Sequence, residues 1–210
     1  MANAKSNTAE NVSDKRDVIL QEAIHVFSEF GFRGTDVQAI ADQAGVGKGT
    51  VYRHFGNKED LFWATTMEVS QRLRRTILQA ADGQSTYNGK IREAAIAYGR
   101  FFDENPECVE VFVQDRAEFR GVGPESHRQF HEELIQQFVE MTEQGIADGE
   151  FHDVDATRLV HAIGSLCFGT IVHDCYKWDD SPMADRIRYA VDILLNGIRI
   201  EPVCLKENES

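Results

Sequence analysis

Proline and cysteine are both scarce in this 210-residue chain, four of each, and neither is placed to build a cross-linked or loop-rich fold. Cys108, Cys167, Cys175 and Cys204 are scattered and form no CxxC pair, which favours free thiols in a reducing cytoplasm over a redox or metal role. Pro106, Pro124 and Pro182 fall where helices can begin, because a first-turn residue has no use for its N–H. Strand signals are nearly missing. No two-residue alternation is sustained, and the one hairpin-type dipeptide, Asn88-Gly89, is followed by a helical pattern. Long apolar runs are missing too: Leu159 to Val172 is broken by His161 and Ser165 and is too short to span a bilayer. Met1 to Ser13 is polar and carries no export signal. There is no repeat, low-complexity tract or Pro-rich linker. No Gly-x-Ser-x-Gly elbow, HExxH motif or nucleotide-binding glycine loop is present, which argues against an enzyme. Basic residues are short as well, 22 Lys/Arg against 35 Asp/Glu for a net charge of −13.

What remains is a globular balance, 42% hydrophobic and 27% charged, with strong helical periodicity. Val18, Ile19, Ala23, Val26, Phe27 and Phe30 recur at three- and four-residue spacing and predict a first helix over about 13–30, stopped by Gly31. Thr35-Asp36-Val37-Gln38 has the capping-box form, so a short second helix should start at Thr35 and end at Gly45, with Ile40 and Ala41 inward. A third covers about 48–55. Asn57 should cap a long fourth, whose Glu59 and Asp60 suit the positive helix end. Further helices are expected over about 89–103, 106–119, 125–148, 155–177 and 183–199. The fold class is all-α. The expected organisation is a disordered tail over 1–12, a DNA-binding domain over 13–60, a ligand-binding and dimerisation domain over 61–200, and a tail over 201–210.

Two short helices joined by Ala44-Gly45-Val46 and packed on a longer one form a helix-turn-helix. Gly45 suits a left-handed turn, and Val46, Ile40, Phe55 and Leu61 are expected in the core. Lys48, Thr50, Tyr52, Arg53 and His54 give the third helix the donors of a DNA reader. Residues 1–60 hold seven Lys/Arg against nine Asp/Glu, so the remaining 15 against 26 place most of the acid elsewhere. Gly45 to Lys58 contains Lys48, Arg53 and Lys58 with no acid, a local cationic surface on an acidic body. The stretch Gly45 to Thr50 is not a phosphate loop. Gly49 separates Lys48 from Thr50, Asp42 stands where the first glycine should be, and a helix precedes it instead of a strand.

From Phe27 to Phe62 the sequence resembles the DNA-binding domain of the tetracycline-repressor (TetR-like) family. The resemblance is carried by Gly31-Phe32, Thr35, the run Ile40-Ala41-Asp42-Gln43-Ala44-Gly45-Val46-Gly47-Lys48-Gly49-Thr50-Val51-Tyr52-Arg53-His54-Phe55, and Asn57 to Phe62. It implies phosphate contacts from Tyr52 and His54, from Thr35 at the start of the second helix and from Lys58 at the start of the fourth. It places Lys48, Gly49, Thr50 and Arg53 nearest the base edges, with Gln38 as an extra reader. Gly47 stands where the family often has serine, a weaker cap, and Asp36 stands where a second hydroxyl is frequent, an acid close to phosphate.

A single reading head binds weakly, so a homodimer on a palindromic DNA operator is expected. The last two helices are the predicted interface, through Leu159, Ile163, Leu166, Thr170, Ile187, Val191, Leu194 and Ile198. A small apolar or amphipathic effector is expected between the fourth helix and helices 90–148, against Trp63, Tyr98, Phe102, Phe112, Arg116, Phe119, His127, Phe130 and His131. His127 and His131 share a helical face, but spacing marks no further ligand, so no metal and no cofactor is expected. The expected function is a ligand-responsive transcriptional repressor in the cytoplasm, its operator affinity lowered by a ligand-driven two-state shift. The acidic balance leaves a second reading open, a protein-interaction module with a degenerate helix-turn-helix. An activator of the same fold is a third.

Overall fold

The computed structural model describes residues 3–119, 124–173 and 180–198, with side chains from residue 15 onward except those of Arg116 and Phe119. Among the described residues there are nine helices and no strand: α1 (Asn3–Gly34), α2 (Val37–Gln43), α3 (Lys48–Phe55), α4 (Lys58–Asp82), α5 (Tyr87–Glu104), α6 (Pro106–Phe119), α7 (Glu125–Ala147), α8 (Ala156–Val172) and α9 (Met183–Ile198). The all-α expectation holds, and most boundaries fall within two residues of those read from periodicity. Helix α1 already begins at Asn3, inside the segment expected as a tail, and the expected tail over 201–210 lies outside the described residues. Gly31 does interrupt α1, with φ 71° and ψ 166°.

Capping explains where the helices start. Asn57 Oδ1 accepts the Asp60 N–H at 2.9 Å, with Glu59 and Asp60 in the first turn of α4. Asp155 caps α8 by accepting the Arg158 N–H at 2.9 Å. Glu150 accepts the Tyr87 and Asn88 amides at 3.2 and 2.8 Å, closing the open end of α5.

The chain forms two compact units, residues 1–75 with 101–130 and residues 76–100 with 131–210. Neither begins or ends at residue 60. In the first, α1 packs on α2 and α6, and α2 on α3. Its core buries Ile19, Ala23, Val26 and Phe27 of α1 with Ile40, Ala41, Val51, Leu61 and Phe62. The Phe27 and Phe62 rings meet edge-to-face at 5.0 Å between centroids. Val18 and Phe30, counted inward by periodicity, are exposed. In the second unit, α8 packs on α9. Ile91, Ala95, Phe151, Ile163, Cys167, Ile187, Val191 and Leu195 form its core. Arg92 grips Asp192 through two hydrogen bonds of 2.6 and 3.1 Å, tying α5 to α9.

Candidate nucleic-acid interface

The first unit carries the helix-turn-helix. Helix α2 ends because Gly45 adopts φ 65°, a conformation that costs glycine nothing, and the turn closes with Val46 N–H donating to Ala41 O at 2.9 Å. Val46 is half-buried beneath the turn. Gly47 then caps α3 by backbone geometry alone, with no side-chain bond, as its lack of a hydroxyl requires.

Helix α3 has two distinct faces. Val51 and Phe55 are buried. Gly49, Tyr52 and Arg53 point outward at the three- and four-residue spacing of one face, with Tyr52 40% exposed despite its ring. Lys48, Thr50 and His54 flank that face half-buried, and Gln38 of α2 is exposed, its amide donating to Asp42 at 2.7 Å. A side chain at Gly49 would meet nothing within 4 Å, so its glycine leaves the backbone open to close approach from outside.

The three cations of the acid-free stretch are not equivalent. Lys48 Nζ lies 2.8 Å from Asp36 Oδ1. The Gln38 N–H, first, and Lys48, second, hold the Asp36 carboxyl below the ordinary aspartate range, while the bond to Asp36 raises Lys48. Lys58 Nζ donates to Thr35 O at 2.7 Å and Arg33 O at 3.2 Å and sits 5.0 Å from the Phe32 ring centre. It therefore closes the carbonyl end of α1, beyond any part it takes at a phosphate. Arg53 has no ion pair among the described residues.

Thr35 requires a correction. It is only 4% exposed, and its hydroxyl donates to Gly31 O at 2.7 Å. Gly31 O also accepts the Thr35 N–H at 3.1 Å, so both the backbone and the hydroxyl of the threonine are turned onto the broken end of α1 and away from a phosphate. The cap of α2 is Asp36, which accepts the Gln38 N–H at 2.9 Å, so the capping-box reading was one residue early.

Sequence patterning gave no hint of Gln114. From α6 its side chain accepts the Phe32 N–H at 2.9 Å and donates to Phe27 O at 3.1 Å, splinting α1 across Gly31. Arg33 adds an exposed pair to Glu118 at 2.7 Å.

The second unit holds an apolar cavity of about 160 Å³ that opens to solvent. Ile77 of α4, Ile91, Ala94, Ala95 and Tyr98 of α5, Leu134, Ile135 and Phe138 of α7, and Val160, Ile163, Gly164 and Cys167 of α8 line it. Of the predicted pocket residues, only Tyr98 is among them. Phe102 is buried against Phe101 and Phe112, with ring centres 5.1 and 5.4 Å away. Trp63 packs edge-on to His127 at 5.5 Å, and Phe130 lies under Arg74 at 4.9 Å. These aromatics build the first unit, and His131 does not line the cavity. The side chains of Arg116 and Phe119 lie outside the described residues. Among the described residues no three His, Cys, Asp or Glu side chains gather to hold a metal ion.

The predicted interface residues also divide. Ile163, Ile187 and Val191 are buried in the core of their own unit, and Leu159, Leu166, Leu194 and Ile198 pack half-buried against it. Thr170 is half-buried, its hydroxyl turned back onto Leu166 O at 2.9 Å. Outward instead are residues such as His161, Ala162, Gly164 and Ser165 of α8, with Tyr189 and Ile193 of α9 at 73% and 58% exposure. Both helices are apolar on more than one face, so periodicity alone could not say which face the protomer uses itself.

A reading helix presented on a three-helix head, joined to a helical body with an apolar cavity, defines a DNA-binding regulator. Residues 19–65 match the bacterial regulatory proteins, tetR family, and residues 84–178 match the tetracyclin repressor-like, C-terminal domain. The chain is 27% identical over 143 residues to the uncharacterized HTH-type transcriptional regulator YhgD of Bacillus subtilis, spanning 68% of this chain and 74% of that protein. It is 25% identical over 209 residues to the HTH-type transcriptional repressor NicS of Pseudomonas putida, spanning 91% and 95%. The structure of the ketosteroid transcriptional regulator KstR2 of Mycobacterium tuberculosis superposes with a TM-score of 0.69 at 21% identity, over 89% of this chain and 95% of that one. The chain belongs to the TetR family of transcriptional regulators, DNA-binding proteins and not enzymes, which bind operator DNA as homodimers and respond to small-molecule effectors. No helix among the described residues is long and apolar enough to cross a membrane.

Proposed function

We propose that this chain is a cytoplasmic, homodimeric repressor that lays the Gly49–Tyr52–Arg53 face of α3 into the major groove of each half of a palindromic operator. A small molecule held in the cavity of the second unit releases it. The observation that carries the reading is the exposed face of α3. Gly49 removes the side chain that would hold the backbone away from the bases, and Arg53 stands beside it without an ion pair among the described residues. Tyr52, Lys48, Thr50 and His54 flank this face, in reach of phosphates or base edges, while Gln38 extends it from α2. Thr35 is left to the scaffold. The dimer forms through Tyr189, Ile193, Ala162 and Ser165, with α9 offering large exposed groups and α8 small ones.

Fluorescence anisotropy on operator duplexes carrying single base changes tests the reading. Arg53→Ala should weaken operator binding by about 1–3 kcal/mol and flatten the preference at one position of each half-site. An Arg53→Ala protein with unchanged affinity and base preference would refute the assignment of this face.

A further inference from the structure

We infer that the effector is a compact, uncharged, largely hydrocarbon molecule of about six to ten non-hydrogen atoms, seated among α4, α5, α7 and α8 of the second unit. The inference rests on the reading of the chain as an effector-responsive regulator and specifies the chemistry of that response.

The lining decides the charge. None of the residues around the cavity is Asp, Glu, Lys, Arg or His, and the side-chain polar groups are the Tyr98 hydroxyl and the Cys167 thiol. Burial pushes the Cys167 thiol up to about 12 and raises the Tyr98 phenol from its ordinary value. Both stay protonated at neutral pH, so the wall supplies no counter-ion for a carboxylate, phosphate or ammonium. An ion entering here would lose its hydration and find no partner. An uncharged molecule loses little and replaces empty space with dispersion contacts.

The volume decides the size. An apolar cavity of about 150 Å³ stays dry and takes up benzene, and the cavity here is about 160 Å³. Small residues create this room. Ala94 and Ala95 of α5 are buried in its wall, and Gly164 of α8, also in the lining, is exposed.

Toluene and benzoate are a matched pair of probes, alike in ring and differing in charge. Isothermal titration of the full-length dimer should give saturable toluene binding, with benzoate at least a hundredfold weaker. Ala94→Leu, which fills the cavity from α5, should weaken toluene at least tenfold. Ala95→Leu, at a second buried lining position of α5, should do the same and serves if the first variant unfolds by circular dichroism. No saturable toluene binding, benzoate within tenfold of toluene, or toluene binding untouched by the folded variants would each overturn the inference. A separate measurement keeps the underlying reading distinct. Saturating toluene should lower operator affinity at least fivefold, and an unchanged affinity with toluene bound would sink the sensing role while leaving the ligand class standing.

Discussion

Replacing Asp36 by asparagine should strengthen operator binding and make it more sensitive to salt. Asp36 accepts both the Gln38 amide at 2.9 Å and the Lys48 ammonium at 2.8 Å. Asparagine is as good a helix N-cap as aspartate, so Asp36→Asn leaves the start of α2 intact and removes only the charge. In the present pair each Lys48 is neutralised before DNA arrives, and an acid sits beside the phosphates. Freeing one cation per head adds about 0.9 to the slope of log affinity against log salt, or about 1.8 for a dimer. The advantage of the variant should therefore shrink about tenfold between about 50 and 200 mM salt, which anisotropy titrations on one operator duplex resolve. Asp36→Ala should show the same slope with lower stability, because it also loses the cap. The carboxyl is held below its usual range, so the pair survives throughout the pH range above an ordinary aspartate's titration. It is lost only as pH falls through the depressed value, and mild acid will not imitate the substitution. Equal slopes for the wild type and Asp36→Asn would refute the argument, showing that Lys48 never exchanges its carboxylate for phosphate.

Gln114→Ala removes two side-chain bonds to the backbone around Gly31 and should cost about 1–3 kcal/mol in urea unfolding; an unchanged midpoint would show that the break needs no splint. Lys58→Ala removes the cation on the Thr35 and Arg33 carbonyls, so it should lower stability by about 1–2 kcal/mol and leave the salt slope nearly unchanged. A slope shallower by about one per subunit, with normal stability, would instead make Lys58 a phosphate contact. Ile193→Asp places an unpaired carboxylate in the proposed dimer face and should raise the dimer dissociation constant at least about a hundredfold in sedimentation equilibrium, against no change if α9 faces solvent.

The sequence made the helices legible because their ends carry local chemistry. Asn57 before Lys58, Gly45 after Gln43 and the prolines at 106 and 182 act within one turn, and the structure starts or stops its helices there. The exposed face of α3 was legible for a related reason. Val51 and Phe55 must be inward, and 49, 52 and 53 are what a helical period leaves outside. Long-range partnerships were not legible. Nothing local tells Lys48 that Asp36 is 2.8 Å away, or Gln114 that it will meet the backbone of Phe27 and Phe32. The apolar cavity went unforeseen because aromatic density was taken as the signal for a pocket. Aromatics such as Phe102 and Trp63 filled space, whereas Ala94, Ala95 and Gly164, which leave it open, carry no pattern of their own. The exposed residues of α9 were not told from the buried ones because Ile187 and Val191 share a helix with Tyr189 and Ile193, and both sets are apolar.

Nuclease footprinting of the full-length protein on the DNA flanking its own gene bears most directly on the reading face of α3. The account predicts one protected site with two-fold symmetry, its half-sites about 34 Å or a multiple apart, and loss of that protection with Arg53→Ala. Uniform cutting at low ionic strength, or a footprint that Arg53→Ala leaves unaltered, would contradict it.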